Sequence, residues 1–250
     1  MRRDEVRDLK AATLLRTSHS KVVDQMGHAI VSGAYAVGET LPGDSELEER
    51  FDVSRSVLRE AMKTLTAKGL VVAKSRVGTR VTEKCHWNLL DEDVLHWHFR
   101  AGVSAEFLNH LYDVRLVLEP AAAALAATNA SAEDCGELRH YANALGASNL
   151  SYRQQVEADL KFHVLMFIVS ANPFMESMIG FIKTSLDGAF TLAYSQHGNH
   201  PRDGIALSHL AIVDAIERKD STGACDAMRH VIELGRQSAI AALSRPSAQG

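Results

Sequence analysis

The stretch from Ser54 to Gly69 constrains this chain more than any other, because it has the pattern of a short helix with one buried face. Ser54 stands at an N-cap position, and Gly69 follows the expected end of the helix. Arg55 and Arg59 are four residues apart and project from one side. This pattern fits a solvated helix face or a helix that enters a DNA major groove. The apolar residues at helical spacing are Val57, Leu58, Ala61, Met62 and Leu65.

Two predicted helices precede this stretch and favour the DNA interpretation. An apolar stripe from Ser18 to Ile30 predicts the first, and Leu47 and Phe51 form an inward i, i+4 pair on the second. Asp52-Val53 gives a tight break before the helix that carries the two arginines. Two short helices joined by such a turn are typical of a helix-turn-helix.

A β-hairpin is predicted after the Arg-bearing helix. The apolar period changes there from about 3.6 residues to about 2, over two short runs within residues 70–82, with Gly78 near the tip. A helix-turn-helix followed by a basic hairpin is a winged helix. Arg76 at the tip is placed to enter a minor groove, where the negative potential attracts arginine.

The charge of the chain is unevenly divided. Its net charge is −4 over 250 residues, but residues 1–82 hold 14 Lys and Arg against 11 Asp and Glu, and residues 83–250 hold 13 against 20. A basic N-terminal part and an acidic C-terminal part fit a DNA-binding module joined to a second domain. The three unpaired cysteines, the lack of a signal-like start and the lack of a long apolar run predict a cytoplasmic protein without a membrane segment.

The rest of the chain predicts an all-α second domain, so the expected fold is mainly α. A winged helix-turn-helix of three helices and a hairpin is joined to a helical bundle. The expected divisions are a mobile tail at 1–17, the winged helix at 18–83, a linker at 84–104, the bundle at 105–243, with a loop at 197–204, and a tail at 244–250.

The bundle contains a candidate metal site. Asp159 and His163 are four residues apart on one predicted helix, so both point to the same side, and His209 begins another helix. Asp and His side chains suit zinc or another divalent metal. The alternative is that Asp159 and His163 form a hydrogen-bonded pair in the core.

The N-terminal motifs resemble the winged-helix domain of GntR-family bacterial transcription regulators. By this resemblance Arg55, Ser56 and Arg59 would contact DNA from the recognition helix, and Arg76, Gly78 and Thr79 from the wing. The chain departs from the family at Ser45, where an arginine is usual, which leaves one DNA contact in doubt. The matching blocks are Gly33-x-Tyr35-x-x-Gly38-x-x-Leu41-Pro42, Val53-Ser54-Arg55-x-x-Leu58-Arg59-Glu60-Ala61, Gly69-Leu70-Val71 and Gly78-Thr79-Arg80-Val81.

The C-terminal landmarks resemble the FCD effector domain of the FadR-type branch. In many such domains one Asp and three His bind a metal that holds a carboxylate effector. Asp159, His163 and His209 match three of these positions. The fourth falls on Val231 with His230 beside it, so a three-ligand site and a four-ligand site both stay open. The landmarks are Arg115-x-x-x-Glu119-Pro120, Asp159-x-x-Phe162-His163, Asn172-Pro173, His209-x-x-Ile212 and Ala224-x-x-Ala227-Met228.

Two residues are candidates for binding the effector. Arg115 has a guanidinium suited to a carboxylate, with Glu119 one turn further along. The alternative is that the two form an ion pair with each other on one helix face. The stretch from Trp87 to Trp97 resembles a sub-branch that responds to sugar acids such as galactonate.

Three classes of function fit some of these features. A homodimeric, effector-responsive regulator of operator DNA, more simply a repressor than an activator, explains both halves of the chain. A metal-dependent helical enzyme fused to a DNA-binding module leaves the winged helix unexplained. An architectural DNA-binding protein leaves the Asp/His cluster unexplained. We therefore expect a regulator of a sugar-acid or related carboxylate operon, and no enzyme.

Overall fold

The structure is a computed structural model that describes residues 18–194 and 203–244. The chain divides after Gly102 into two compact units, which are described separately below. The predicted tail at 1–17, residues 197–202 of the predicted loop and residues 245–250 of the predicted second tail lie outside the described residues. Asp203 and Gly204, which the loop was expected to include, are the first residues of a helix.

The N-terminal unit is the predicted winged helix with a helical extension. Its third helix buries the expected stripe, with Met62 only partly buried, and Trp87 and Trp97 of the extension join the same core. The elements are α1 (residues 18–31), α2 (Asp44–Phe51), α3 (Arg55–Ala67), β1 (Val71–Lys74), β2 (Gly78–Val81), a 3-10 turn (Lys84–His86) and α4 (Glu92–Ala101).

The predicted two-stranded hairpin is present, with one additional bridge from the segment before α2. β1 and β2 pair antiparallel, with Val71 opposite Val81. Thr40 forms an additional bridge to Arg80, and the Leu41 amide donates to the carbonyl of Thr79 at 2.8 Å. The connection between α1 and α2, expected to be only a turn, is therefore also hydrogen-bonded to β2 through one bridged residue.

The two ends of α3 differ in how closely they follow prediction. Ser54 is the N-cap residue, but its hydroxyl makes no capping hydrogen bond and lies 3.0 Å from the hydroxyl of Ser56 instead. Gly69 has a φ of +80°, and a β-carbon there would clash with the carbonyl oxygen of His86. Only glycine fits at this position, because the chain is both left-handed and tightly approached.

The segment predicted as a linker packs against the winged helix as far as α4. Trp97 lies against Gly27 of α1, and its indole N–H donates to Asp24 at 2.9 Å. Lys68, at the end of α3, forms ion pairs of 2.7 and 2.8 Å with Asp91 and Asp93. These contacts join residues 84–101 to the winged helix.

The C-terminal unit is helical throughout the residues that the structure describes, as predicted. The long helix α5 packs along α11 and also contacts α7 and α10. Among the described helices of the whole chain, none has the length and apolar character needed to cross a bilayer. The elements are α5 (Ala105–Asn129), α6 (Ala132–Leu145), α7 (Tyr152–Val169), α8 (Pro173–Glu176), α9 (Ile179–Tyr194), α10 (Asp203–Glu217) and α11 (Ser221–Leu243).

Candidate functional site

The candidate DNA-binding surface begins with the outer face of α3. Arg55, Ser56 and Arg59 are exposed, on the side opposite the buried stripe. Within residues 18–194 and 203–244 neither arginine forms an ion pair. Both guanidinium groups are therefore available to phosphate or base edges. Ser45 is also exposed at the start of α2, where it can offer a hydroxyl but no charge.

The wing presents its predicted residues at a strained turn. Arg76 is exposed and has a φ of +63°, in the left-handed region that side chains other than glycine rarely adopt. Gly78 has a φ of +108°, which requires glycine. Thr79 is partly buried, and its carbonyl accepts a hydrogen bond from the amide of Leu41. Arg76 is thus the charged side chain exposed at this turn, whereas Thr79 stabilises the wing through a backbone hydrogen bond.

Asp159, His163 and His209 come together in the interior of the C-terminal unit. α7 supplies the first two and α10 supplies the third. Each offers one possible ligand atom, and these atoms lie within 4.8 Å of one another. All three side chains are buried, with exposed fractions of 5%, 1% and 3%. Residues distant in sequence therefore form one cluster of nitrogen and oxygen atoms that could bind a metal ion.

The hydrogen bonding of His209 identifies its free nitrogen. Nδ1 lies 2.8 Å from the carbonyl oxygen of Ile205, and because a carbonyl only accepts, Nδ1 carries the proton. Nε2 lies 3.1 Å from Oδ1 of Asp159 without forming a hydrogen bond. When the ring is neutral, the electron pair on Nε2 therefore faces an electron pair on Oδ1 of Asp159 in a buried space. A cation bound between the two atoms would remove this repulsion.

His163 is oriented by a residue of a third helix. Its Nδ1 is in direct contact with Oε2 of Glu119, and its Nε2 lies 3.8 Å from Oδ2 of Asp159. Glu119 in turn accepts a hydrogen bond of 2.6 Å from Nε of Arg115, whose guanidinium lies over the ring of Tyr112. A continuous polar network therefore runs from α5 through α7 to α10.

Opposing effects set the protonation of this network. Burial alone raises the pKa of Glu119, but the charges of Arg115 and His163 outweigh it and bring the pKa to about 2. Burial likewise raises the pKa of Asp159, and the nearby histidines lower it below its usual range. Burial lowers the pKa of His163, but the negative charges of Glu119 and Asp159 outweigh burial. The pKa of His163 is therefore raised above its usual value. Both carboxylates are therefore ionised and attract a positive charge to the cluster.

Two further predicted site residues contribute no atom to this cluster. His230 is exposed, whereas the adjacent Val231 is buried, because one residue along a helix is a rotation of about 100°. His230 is not part of the cluster, which within residues 18–194 and 203–244 consists of Asp159, His163 and His209. Glu119 is fully buried, and its oxygens are directed at Arg115 and His163.

The sequence contains part of the signal for the role of Glu119. Glu119 and Arg115 lie at i, i+4 on a helix whose neighbouring residues are almost all apolar, so neither can reach solvent easily. A buried carboxylate needs a second donor beyond the arginine. Periodicity alone does not reveal that this donor is His163 on another helix.

This combination of a winged helix and a helical domain with a buried polar cluster defines a class, the transcription regulators that carry DNA-binding and sensing domains in one chain. The family model for bacterial regulatory proteins of the gntR family matches residues 18–81, and the model for the FCD domain matches residues 110–234. The chain belongs to the GntR family of transcription regulators and carries an FCD domain, as its motifs predict.

Individual relatives agree with this assignment. The chain is 35% identical over 214 residues to the uncharacterized HTH-type transcriptional regulator YieP of Escherichia coli, covering 84% of this chain and 90% of that protein. It is 30% identical over 205 residues to the galactonate operon transcriptional repressor of E. coli, covering 82% and 89%. These relatives are transcription regulators, which confirms this class over a metal-dependent enzyme.

A solved structure supports the fold. The structure of Lar, which controls the expression of the Listeria monocytogenes agr system, is similar with a TM-score of 0.58 and 19% sequence identity. The similarity covers 88% of this chain and 95% of that one. At this identity the likeness concerns the arrangement of the chain and not its ligand.

Proposed function

We propose that this chain is a homodimeric repressor of an operon for a sugar acid or related carboxylate, and that the effector binds next to a divalent metal in the helical domain. The observation that carries the proposal is the buried cluster of Asp159, His163 and His209 in a chain whose other unit exposes Arg55 and Arg59. The cluster provides a place for a ligand, and the arginines provide a place for DNA.

The donor set of the cluster fits a divalent metal. Two imidazole nitrogens and one carboxylate oxygen are typical ligands of zinc, with bonds of about 2.0–2.2 Å. The 3.1 Å between Nε2 of His209 and Oδ1 of Asp159 is compatible with two ligands of one ion. A bound divalent ion supplies positive charge and open positions for an oxygen ligand. Three protein ligands leave room for water or the effector.

We propose that Arg115, which is joined to the cluster through Glu119 and His163, binds the effector's carboxylate beside such an ion. Its Nε–H donates to Glu119, and a guanidinium has four more N–H donors, enough for a bidentate pair. The sugar-acid class is supported by the galactonate operon repressor, 30% identical over 205 residues, and by the resemblance of the Trp87–Trp97 stretch. A homodimer is proposed because two winged helices on two half-sites gain affinity by linkage.

The segment predicted as a linker belongs to the N-terminal unit as far as α4. Trp87 and Trp97 are buried in the core of the N-terminal unit, so they are not a free connector that the bundle could bias. The chain between the end of α4 and the start of α5 consists of residues 102–104, and Gly102 has a φ of +93°. We propose that effector binding acts on the DNA-binding unit through this short segment.

A double substitution tests the proposal. The His163→Ala/His209→Ala protein should still bind operator DNA in a fluorescence anisotropy titration, but a panel of sugar acids should no longer release it. Elemental analysis should show less bound metal than in the wild type. His230→Ala is the matched control, because His230 is an exposed histidine outside the cluster. Release by an effector that survives the double substitution would disprove a metal-dependent sensor.

A further inference from the structure

We propose that Glu119 is a positioning residue for the metal site, which holds His163 in the one tautomer that can bind an ion. The inference rests on the metal site proposed above and goes beyond it, because Glu119 lies on α5 and supplies no atom to the three-residue donor cluster. It also replaces the expectation that Glu119 contacts the effector.

The first step concerns the proton between Glu119 and His163. Oε2 of Glu119 and Nδ1 of His163 are in contact, both atoms are buried, and neither has a hydrogen-bond partner elsewhere among the described residues. An ionised carboxylate can only accept, so the two atoms satisfy each other when Nδ1 carries the proton. In the neutral ring Nε2 then keeps its electron pair, and this is the atom that faces Asp159.

The second step concerns what holds Glu119 in place. Its other oxygen, Oε1, accepts the 2.6 Å hydrogen bond from Arg115, and both side chains are buried on the same face of α5. Because Oε1 is fixed by Arg115, Oε2 has to face His163. A carboxylate that orients a metal-binding histidine in this way raises the basicity of the ring and lowers the entropy lost on binding.

The arrangement makes Glu119→Gln a sharp test. The amide oxygen of the glutamine has to remain toward Arg115, since the guanidinium can only donate. The amide NH2 group is then left facing Nδ1 of His163, and two donors cannot face each other. The proton of the ring therefore moves to Nε2, where it blocks the electron pair that the ion needs.

Metal affinity is the first measurement. Full-length wild type, Glu119→Gln and Glu106→Gln are titrated with Zn2+ against a chromophoric chelator. Glu106 is an exposed residue of the same helix and serves as the matched control. Loss of a carboxylate that orients a metal-binding histidine typically weakens binding by about 10–100-fold, and we expect this for Glu119→Gln and no change for Glu106→Gln. The d–d absorption of bound Co2+ should also change in Glu119→Gln.

The second measurement needs no variant and does not depend on folding of a mutant. The 15N chemical shifts of the His163 ring in the metal-free wild type, at a pH where the ring is neutral, should show the proton on Nδ1. A proton on Nε2 would overturn the inference. Wild-type Zn2+ affinity in folded Glu119→Gln would also overturn it, and would leave the metal site intact if His163→Ala abolishes binding. If the wild type binds no metal at all, the proposed function and this inference fail together.

Discussion

The indole ring of Trp97 fills the space beside Gly27 where a side chain would otherwise stand. A β-carbon on Gly27 would clash with the ring, which is buried with an exposed fraction of 1%. Asp24, one turn earlier on α1, accepts from the indole N–H and from Arg100. α4 therefore packs against α1 at Gly27 and is hydrogen-bonded to α1 at Asp24.

Gly27→Ala should destabilise the N-terminal unit, because the added methyl group forces Trp97 out of its position. Overpacking of this kind typically costs about 1–3 kcal/mol. The two tryptophans of the chain both lie in this unit, so urea unfolding followed by tryptophan fluorescence reports on it selectively. Gly136→Ala on α6 is the control, because a β-carbon at Gly136 would meet no other atom within 4 Å. An unchanged midpoint for Gly27→Ala would contradict the packing described.

Arg59→Ala should weaken specific binding to an operator selected in vitro with the wild-type protein, without loss of folding. A lost bidentate base contact costs about 1–3 kcal/mol of discrimination, and a lost phosphate contact reduces the salt slope by about 0.9. Gel-shift titrations at several salt concentrations separate the two cases. Arg153→Ala, at an exposed arginine of the other unit, provides the comparison. Equal binding by both variants would mean that α3 is not the recognition helix.

Arg76→Gly should have opposite effects on stability and on DNA binding. Glycine relieves the left-handed strain at φ +63°, which costs other residues about 1–2 kcal/mol, and so it should raise the urea midpoint of the wing-bearing unit. The same change removes a charge from the wing tip and should weaken specific and non-specific DNA binding by similar factors. If only specific binding weakened, Arg76 would read base edges directly.

His98 should make the N-terminal unit less stable in mild acid. Burial, with help from the charge of Lys84, lowers the pKa of His98 from 6.5 to about 4. The unfolded chain therefore takes up the proton first as the pH falls, so stability is full above pH about 6.5 and declines until about 4. The loss should reach about 2 kcal/mol, allowing for the partial exposure of the ring.

Urea midpoints measured between pH 7.5 and 4.5 check this prediction. His98→Gln removes the titrating group and should flatten the curve over that range. His96→Gln, at an exposed histidine of the same helix, should leave the curve unchanged. A wild-type curve as flat as that of His98→Gln would show that the imidazole titrates normally in the folded chain.

The parts of this fold that rest on local chemistry could be predicted from the sequence. The apolar spacing from Val57 to Leu65 predicts α3 and its buried face, and the change of period after Gly69 predicts the hairpin. The bridge between Thr40 and Arg80 could not be predicted in this way. A strand of one bridged residue has no periodicity, and its partner is distant in sequence.

The candidate metal site shows the same division. Asp159 and His163 share a helix face, so their spacing alone predicts that they are neighbours. His209 joins them only through the packing of α10, and within the sequence only the resemblance to a family indicates that link. The contact between Glu119 and His163 depends on the rotation of two helices about their axes, which no spacing within either helix determines.

The bonds between residues 38–41 and β2 have a consequence for operator recognition. Because residues 38–41 are bonded to β2 and lead directly into α2, the wing cannot swing independently of the helices beside it. The wing and α3 therefore keep a constant spacing, which sets the opening available to DNA. DNA whose grooves do not match that opening has to bend or twist to fit, so flexible base steps between the contacted grooves should favour binding although no side chain touches them.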